Sequence, residues 1–482
     1  MLKPISLVGE QRKVLSLNHE GPIQIKGAAG SGKTTVAIYR ACHLMNTHAD
    51  LFEPSKVAVF SFNKSLSAYL KVLANSLGDY DYSDLTVIHF HKWAYHFLEQ
   101  QGFKLNGRVF DEDQAKYRLS VIINKIKDSE PSYERILSKR IEFYLDEVSW
   151  LKGKNILSLE EYQETKRSGR GTTDRVTSSD KIALWEVFQQ YRHYMQSNGK
   201  YDFDDFALLC LDVIAKQAEN FGPHFTHIVI DEAQDLSKAQ VSVLSKIVSP
   251  TTNSITIIAD AAQRIYKSGF VWKEVGLNVR GSRTIEFKKN YRNTAVIAKA
   301  ALSLLAHDND TDDFTTVEVG DRDGEKTLII SASNEKDELS SVLERVKNKH
   351  LSNKNESICL IHRTRQGVVK LGQLLLKNGF KISNISMSDK NGFSDDCIYI
   401  ATMQSVKGLE FDHVFLCSLE SELLPIAAGF SEPDDDLHIS TERRLLYTCM
   451  TRATQTLTLS YSNAPSRFLS EINSEFVDRV NI

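Results

Sequence analysis

The chain lacks three features that mark large classes of protein: cysteine clusters, long apolar runs and a charge excess of one sign. No CxxC pair and no Cys/His cluster at zinc or iron–sulfur spacing occurs, so the six cysteines are expected to be buried thiols in a reducing cytosol. No run of about 18 apolar residues predicts a membrane span, and the amino terminus, MLKPISLVGEQRKVL, has no apolar signal core. We therefore expect a cytoplasmic protein without membrane contact.

The charges are nearly balanced, with 59 Lys and Arg against 62 Asp and Glu and a net charge of -3. A global basic field that would draw the protein to phosphate is therefore absent, and any contact with nucleic acid must be local. Nine prolines are spread thinly, without an obvious linker, repeat or low-complexity tract. A chain of 482 residues, 41% hydrophobic, has room for two to four domains.

Short β-branched or aromatic runs alternate with helical stretches along the chain. The earlier runs are residues 23–25, 56–60, 86–90, 227–230 and 254–259, and the later ones are 326–330, 357–362, 397–401, 413–417 and 456–461. This alternation predicts an α/β fold with two parallel sheets, whose ligands lie at the carboxyl ends of the strands. Residues 105–200 have helical periodicity instead and are predicted to form a helical insertion into the first lobe.

A glycine-rich motif follows the first strand and precedes a helical run. The residues Gly27, Ala28, Ala29, Gly30, Ser31, Gly32, Lys33 and Thr34 match GxxxxGK[ST], and Thr35, which follows them, is also expected to bind the nucleotide. In such a P-loop the backbone N–H groups and the helix N-terminus face phosphate oxygens. Lys33 is expected to hold the β- and γ-phosphates of ATP, and the Thr34 hydroxyl to bind Mg²⁺.

The apolar run from His227 to Ile230 leads directly into a carboxylate cluster, Asp231-Glu232-Ala233-Gln234-Asp235. A strand that ends in this way is typical of the Walker B site of a P-loop protein. We expect Asp231 to bind Mg²⁺ and Glu232 to orient and deprotonate the attacking water.

Further short motifs surround these two in a consistent order. They are Glu10-Gln11-Arg12-Lys13, Ser61-Phe62-Asn63-Lys64, His89-Phe90-His91, the Asp260 to Tyr266 segment, Asn290-Tyr291-Arg292-Asn293, the Thr402 to Asp412 segment, and Glu442 to Ala453. Together they resemble the UvrD/Rep family of superfamily 1A DNA helicases over almost the whole chain. The resemblance implies two RecA-like lobes with a nucleotide between them, and 3′ to 5′ movement on single-stranded DNA.

The resemblance also implies roles for individual residues at the nucleotide. Gln11 would read the adenine edge, Tyr291 would stack on the adenine and Glu410 would lie near the ribose. Gln263, with Asp260, would link the γ-phosphate to the strand path. Arg292 and Arg452 would act as arginine fingers on the γ-phosphate, drawn across the cleft by the charge that develops there.

A second implied set of residues lies along the nucleic acid. It comprises Phe62, Asn63, Lys64, His91, Thr402 and Gln404, and Gln404 stands where relatives usually have histidine. Relatives place a base-stacking aromatic two residues after Tyr266, where this chain has Ser268, so either Phe270 or Trp272 substitutes for it or both pack in the core. Lys92 and Trp93 belong either to the strand path or to a helix surface, and the loop with Lys166, Arg167 and Arg170 either touches duplex or is simply solvated.

The predicted domain boundaries are 1–104 for the start of the first lobe, 105–200 for the insertion, 201–275 for the rest of the first lobe and 276–482 for the second lobe. Relatives carry a second insertion in the second lobe, but only about a hundred residues separate Arg292 from Thr402 here. Three functions stay open. They are an ATP-dependent DNA translocase or helicase, a nucleic-acid-responsive ATPase that regulates a partner such as a nuclease in repair or anti-phage defence, and an RNA-directed enzyme.

Overall fold

The computed structural model describes most of the chain: residues 7–47, 55–61, 67, 70, 85–165, 176–217, 220–260, 262, 270–279, 283–308, 314–385, 397–426 and 436–482. Several predicted site residues lie outside these ranges, namely Phe62, Asn63, Lys64 and Gln263. The basic loop with Lys166, Arg167 and Arg170 also lies outside them.

The first sheet has six strands in the order β3-β2-β4-β5-β1-β6. Their bounds are β1 Ile23–Gly27, β2 Val57–Ser61, β3 Leu85–His89, β4 His227–Ile230, β5 Ser254–Ala259 and β6 Thr284–Phe287. The second sheet has seven, in the order β13-β7-β12-β11-β8-β10-β9. Their bounds are β7 Thr327–Ser331, β8 Ile358–His362, β9 Ile382–Asn384, β10 Ile398–Thr402, β11 Phe411–Leu416, β12 Ala453–Tyr461 and β13 Val477–Asn481.

Every pairing between these strands is parallel. The central strands β2, β4 and β5 are buried along their whole length, because helices cover both faces of a parallel sheet. This burial explains why they appear in the sequence as continuous apolar runs. The α/β fold with two parallel-sheet lobes is confirmed.

The helices flank the two sheets and form the insertion. Their bounds are α1 Lys33–Thr47, α2 Phe90–Gln100, α3 Glu112–Ser129, α4 Glu134–Leu137, α5 Ile141–Lys154, α6 Leu159–Glu164, α7 Ser178–Ser197, α8 Asp205–Gln217, α9 Lys238–Ile247, α10 Ala295–Leu305, α11 Glu335–Ser352, α12 Arg365–Lys377, α13 Asp436–Met450 and α14 Phe468–Glu471. Short 3₁₀ turns cover Gly9–Val14, Pro131–Tyr133, Ala233–Asp235, Trp272–Val275 and Ser474–Phe476. Among the described helices, none is long and apolar enough to cross a membrane.

Helices α3 to α7 form the predicted insertion and share a hydrophobic core of their own. Capping boxes begin its two longest helices, with Asp111 and Gln114 at α3 and Thr177 and Asp180 at α7. The two ends of the insertion lie side by side, since Phe110 N–H donates to the Tyr201 carbonyl at 2.7 Å. Helix α5 also packs against α8 and α9, which belong to the first lobe.

The predicted boundary between the lobes after residue 275 is too early. Strand β6 follows that boundary, yet Gln24 to Gly27 of β1 pair in parallel with Thr284 to Phe287. The first lobe therefore extends to at least Phe287. The sequence pattern of this strand is weak because it lies at the sheet edge and three of its four residues are not buried.

Candidate nucleotide site and strand path

The P-loop joins β1 to α1 and turns at glycines that no larger residue could replace. Gly30 and Gly32 have φ of 74° and 81°, in the left-handed region that favours glycine. A Cβ on Gly30 would lie 2.3 Å from Asn290 Oδ1, and one on Gly27 would lie 2.7 Å from Lys33 Cγ. The loop is therefore packed tightly between the lysine on one side and the segment after β6 on the other.

Lys33 is buried, and its ammonium is bound inside the loop. Nζ donates to the carbonyls of Gly27 at 2.8 Å and Ala28 at 2.9 Å, and it forms an ion pair with Asp260 Oδ2 at 3.0 Å. The predicted residues Lys33 and Asp260 therefore meet, although they are far apart in the chain. The lysine lies within the loop whose N–H groups the motif assigns to phosphates.

The carboxylates after β4 lie beside the P-loop. Glu232 has φ of 55°, and its N–H donates to Asp231 Oδ1 at 3.0 Å. Burial and the neighbouring Glu232 raise the pKa of Asp231 to about 7, against a hydrogen bond from Thr34 that lowers it. Burial also acts to raise the pKa of Glu232, but the nearby Lys407, Lys33 and Arg452 outweigh it and hold that pKa below its usual value.

Two buried polar atoms indicate that the site can accommodate a nucleotide with Mg²⁺. Among the described residues, Ser31 Oγ and Asp231 Oδ2 are buried and have no hydrogen-bond partner. Buried polar atoms are normally satisfied, so both indicate room for a ligand with complementary groups. An oxygen-binding cation beside Asp231 and Thr34, and phosphate oxygens beside Ser31, fit these atoms.

The two predicted arginines lie close together at the cleft between the lobes. Arg292, which follows β6, forms an ion pair with Glu410 of the second lobe. Arg452 lies at the start of β12 with its side chain fully buried, and Nε donates to the Thr448 carbonyl at 2.8 Å. Burial and the nearby Arg292 lower the pKa of Arg452 to about 10, and Glu232 and Glu410 partly oppose this. The structure thus brings the two predicted arginines close to each other, with Arg452 near Glu232 and Arg292 on Glu410.

The predicted base-binding residues border the P-loop. Gln11 donates from Nε2 to the Ser31 carbonyl at 2.7 Å and accepts from Val8 N–H at 3.0 Å, so backbone groups engage both ends of its amide. Tyr291 is 40% exposed, and its N–H donates to the Gly30 carbonyl at 2.9 Å. Recognition of adenine by Gln11 and Tyr291 stays a prediction.

Lys407 is a site residue that the motif analysis missed. Its Nζ lies 2.6 Å from Asp235 Oδ2 and 3.7 Å from Glu232 Oε2, and the side chain is 1% exposed. This second-lobe lysine therefore contacts the first-lobe carboxylates directly. The available signal was a lysine between the apolar residues Val406 and Leu409, where a buried charge needs a partner.

The predicted strand path contains a pair of rings near the start of α2. Burial lowers the pKa of His91 to about 4, so the ring is neutral at physiological pH. Its ring lies 5.6 Å from that of Phe203, which is 54% exposed. Phe203 is the second residue that the motif analysis missed, and its exposure makes it a candidate platform for a base.

The other predicted strand residues are placed differently. Phe270 and Trp272 contact each other at 5.3 Å and pack against the first-lobe core, which favours the core interpretation. Trp93 is buried and stacks on Phe97, so it is a core residue as well. Thr402 Oγ1 lies 3.0 Å from Ser405 Oγ, and Gln404 is half-buried on the same turn.

Two protein-family models match this chain, one over the first lobe with its insertion and one over the second lobe. The family model for the UvrD/REP helicase N-terminal domain matches residues 7–269, and that for the UvrD-like helicase C-terminal domain matches residues 285–389 and 380–464. The chain is 23% identical over 379 residues to the ATP-dependent DNA helicase PcrA of Staphylococcus epidermidis, covering 74% of this chain and 48% of that protein.

A second relative is the ATP-dependent DNA helicase Rep of Buchnera aphidicola subsp. Baizongia pistaciae. It is 24% identical over 415 residues, which cover 81% of this chain and 57% of that protein. The chain thus spans about half the length of the curated relatives it matches. Among solved structures, the C-terminal domain of a possible DNA helicase from Lactobacillus plantarum matches with a TM-score of 0.30 and 19% identity, over 39% of this chain and 98% of that one.

Proposed function

This chain belongs to the UvrD/REP helicase family, and on that premise we propose that it hydrolyses ATP to move along single-stranded DNA in the 3′ to 5′ direction. The observation that carries the proposal is the meeting of groups from both lobes around Glu232. Lys33 comes from the first lobe, and Lys407 and Arg452 come from the second. The positive charge of each favours the ionised form of the Glu232 carboxylate.

The side chains support hydrolysis of a triphosphate in the following way. Lys33 would exchange its carbonyl partners and Asp260 for phosphate oxygens, and Thr34 and Asp231 would hold Mg²⁺. When bound, Mg²⁺ neutralises charge on the β- and γ-phosphate oxygens. Glu232, kept ionised by its three cationic neighbours, accepts a proton from the attacking water. Arg292 and Arg452 stabilise the charge that develops on the γ-phosphoryl group.

The contacts between the lobes support coupling of hydrolysis to movement. Lys407 of the second lobe bridges to Asp235 of the first at 2.6 Å, while Asn293, beside Arg292, is bound within the second lobe by its Nδ2 donation to the Ala453 carbonyl at 2.6 Å. Nucleotide phosphates would compete for Arg292 and Arg452 and would alter these contacts. Hydrolysis would then reverse the change, which is the cycle of lobe closure that a translocase needs.

A second candidate is a DNA-stimulated ATPase that serves as the motor or regulatory subunit of a partner such as a nuclease. The short segment between Arg292 and Thr402 favours it, because the described residues of this segment form α10, α11, α12 and strands β7, β8 and β9 of the second lobe. Relatives use a second insertion here to regulate unwinding. We propose that this chain translocates, and that duplex opening depends on a partner.

The test compares ATP turnover with strand displacement in the purified chain. We expect turnover to rise when single-stranded DNA is added, and to rise less with RNA of the same length. Displacement is then measured on duplexes with 3′ or 5′ tails. Turnover that DNA does not stimulate would exclude the motor. Stimulated turnover without displacement on either tail would favour the partner-dependent ATPase, and displacement on 5′ tails alone would overturn the polarity.

Two substitutions test the assigned site. Lys33→Ala should abolish both nucleotide binding and turnover, whereas Glu232→Gln should abolish turnover and keep binding of a fluorescent ATP analogue. Lys349→Ala is a matched control, because this lysine is paired with Glu325 on the surface of the second lobe. Full turnover in either site variant would show that the assignment is wrong.

A further inference from the structure

A buried lysine of the helical insertion lies against the turn that carries the exposed Phe203. Lys152 belongs to α5 and is 1% exposed, and its Nζ lies 2.6 Å from both Asp202 Oδ2 and Asp205 Oδ1. The carboxylate of each aspartate accepts a hydrogen bond from the backbone of the other. Asp202 N–H donates to Asp205 Oδ2 at 2.9 Å, and Asp205 N–H donates to Asp202 Oδ1 at 3.1 Å, so the two bonds close a turn that contains Phe203. The Lys152 ammonium therefore bridges the two aspartates at the ends of this turn.

The insertion contributes a second group to the same turn. Tyr191 of α7 donates its hydroxyl to Asp202 Oδ2 at 3.1 Å, and Lys152 Nζ lies 5.2 Å from the centre of its ring. Two helices of the insertion thus hold one end of α8, which belongs to the first lobe.

The turn depends on this cation for electrostatic reasons. Asp202, Asp204 and Asp205 are three largely buried carboxylates within four residues, and among the described residues only Lys152 forms an ion pair with any of them. Burial acts to raise the pKa of Asp202, but Lys152 outweighs it and keeps that pKa low. Without the lysine, like charges would repel one another in a poorly solvated space.

What the ion pairs hold in place is an exposed aromatic ring. Phe203 is 54% exposed and contacts the rings of His91 at 5.6 Å and Phe206 at 5.8 Å. The ring beside this buried ion cluster is thus more than half exposed and lies next to His91 of the predicted strand path.

We propose that Lys152 is a positioning residue for single-stranded DNA, through which the helical insertion holds the Phe203 ring where a base can stack on it. The inference rests on the proposed function and assigns the insertion a part in strand binding that needs no contact of its own with duplex. Loss of the lysine should therefore weaken DNA binding and leave the ATP site as it is.

The experiment measures binding of a fluorescently labelled thymidine oligonucleotide to the full chain by anisotropy. Lys152→Met should raise the Kd for this oligonucleotide roughly tenfold, which is within the range for loss of one base stack. The KM for ATP without DNA should not change. If Lys152 acts through Phe203, the double variant with Phe203→Ala should bind no more weakly than Phe203→Ala alone.

Lys181→Met is the matched control, since Lys181 is another buried lysine of the insertion, whose Nζ donates to the Tyr162 and Gln163 carbonyls. It should lower the melting temperature without raising the Kd. If Lys152→Met does not fold, Asp202→Asn replaces it, because the amide keeps the cap and loses the ion pair.

Each contrary outcome has a distinct meaning. An unchanged Kd in a folded Lys152→Met or Asp202→Asn variant, an equal rise in Lys181→Met, or additive weakening in the double variant would overturn the inference alone. Absence of DNA binding by the wild-type chain would overturn the proposed function together with it.

Discussion

Buried charges are concentrated where the two lobes meet. Lys407 is 1% exposed and faces Asp235, which is fully buried, so neither side chain can be solvated. A buried ion pair of this kind contributes little net stability, but removal of one partner leaves the other without compensation. Since Asp235 belongs to the turn that begins with Glu232, the ion pair ties Lys407 of the second lobe to the turn of the proposed general base.

Lys407→Met should therefore lower kcat for ATP by about 10- to 100-fold, because a small displacement of a catalytic group costs that much. The KM for ATP should change much less, since Lys407 contacts carboxylates of the first lobe. Steady-state kinetics with and without DNA measure both quantities. Lys370→Met is the control, because its ion pair with Glu335 is exposed, and wild-type kcat in Lys407→Met would contradict the prediction.

Asp204 is a second buried charge with a measurable consequence. Burial, and then Asp202, raise the pKa of this carboxyl to about 7, against Lys152 and a hydrogen bond from Ser149 of α5 that lower it. The folded chain thus keeps a proton that the unfolded chain releases near its usual pKa. Folding stability must then fall as the pH rises from about 4 to about 7 and stay lower above that.

Asp204→Asn removes this titration. At pH 8 the variant should melt roughly 2–4 °C above the wild type, and at pH 5 the two should melt at similar temperatures. Differential scanning calorimetry at both values measures the difference. The other groups that face Asp204 are Asp205 of the same turn and Tyr191 of α7, and both stay in the variant. An equal rise in melting temperature at pH 5 and pH 8 would contradict the raised pKa of Asp204.

At the scale of elements, the P-loop connects the first lobe to the segment that follows β6. Gly30 accepts a hydrogen bond from Tyr291 N–H at 2.9 Å and leaves room for the Asn290 amide. This contact places Arg292 beside the cleft. Gly30 therefore contributes both to the turn of the phosphate-binding loop and to the position of Arg292.

Gly30→Ala should reduce kcat/KM for ATP by at least about 100-fold, because the added methyl would displace Asn290 and the loop together. Gly102→Ala is a strict control: Gly102 has φ of 85°, and a Cβ there meets nothing within 4 Å. Both variants pay the backbone cost of about 1–2 kcal/mol for a left-handed residue. Only Gly30→Ala should lose activity, and equal kinetics in the two would contradict the packing argument.

At the scale of the whole molecule, the helical insertion is built as a separate unit. It has its own hydrophobic core, and its ends are adjacent, with Tyr201 N–H donating to the Arg108 carbonyl at 3.0 Å. Such a unit meets the usual criteria for independent folding. Its main tie to the first lobe is the contact of α5 with α8 and α9.

Residues 108–201 expressed alone should therefore form a helical domain with cooperative thermal unfolding, measured by circular dichroism. Phe143→Ala should abolish that transition, because removal of a fully buried phenylalanine costs about 3–5 kcal/mol, a large part of the stability of a small domain. Tyr117→Ala, at an exposed position of α3, should leave it intact. A non-cooperative melt of the wild-type fragment would show that the insertion needs the first lobe.

The local motifs could be identified from the sequence because each is a short segment with one structural context. The P-loop lies between a strand and a helix, and the acidic cluster ends a buried strand, as predicted. The strands that are buried along their whole length were all recognised, and so was the edge strand β3. Strands β6, β9 and β13 were missed because they are short or at a sheet edge, where burial imposes little pattern.

The amino-acid sequence by itself determined the family, the two parallel sheets and the residues of the phosphate loop, since these follow from spacing along the chain. Only the tertiary structure decided which distant charges meet. Lys33 with Asp260, Lys407 with Asp235, and Lys152 with Asp202 are pairs that no local pattern specifies. The physical reason is that a buried charge needs a partner of opposite sign, and the fold alone determines which residue is near enough to serve.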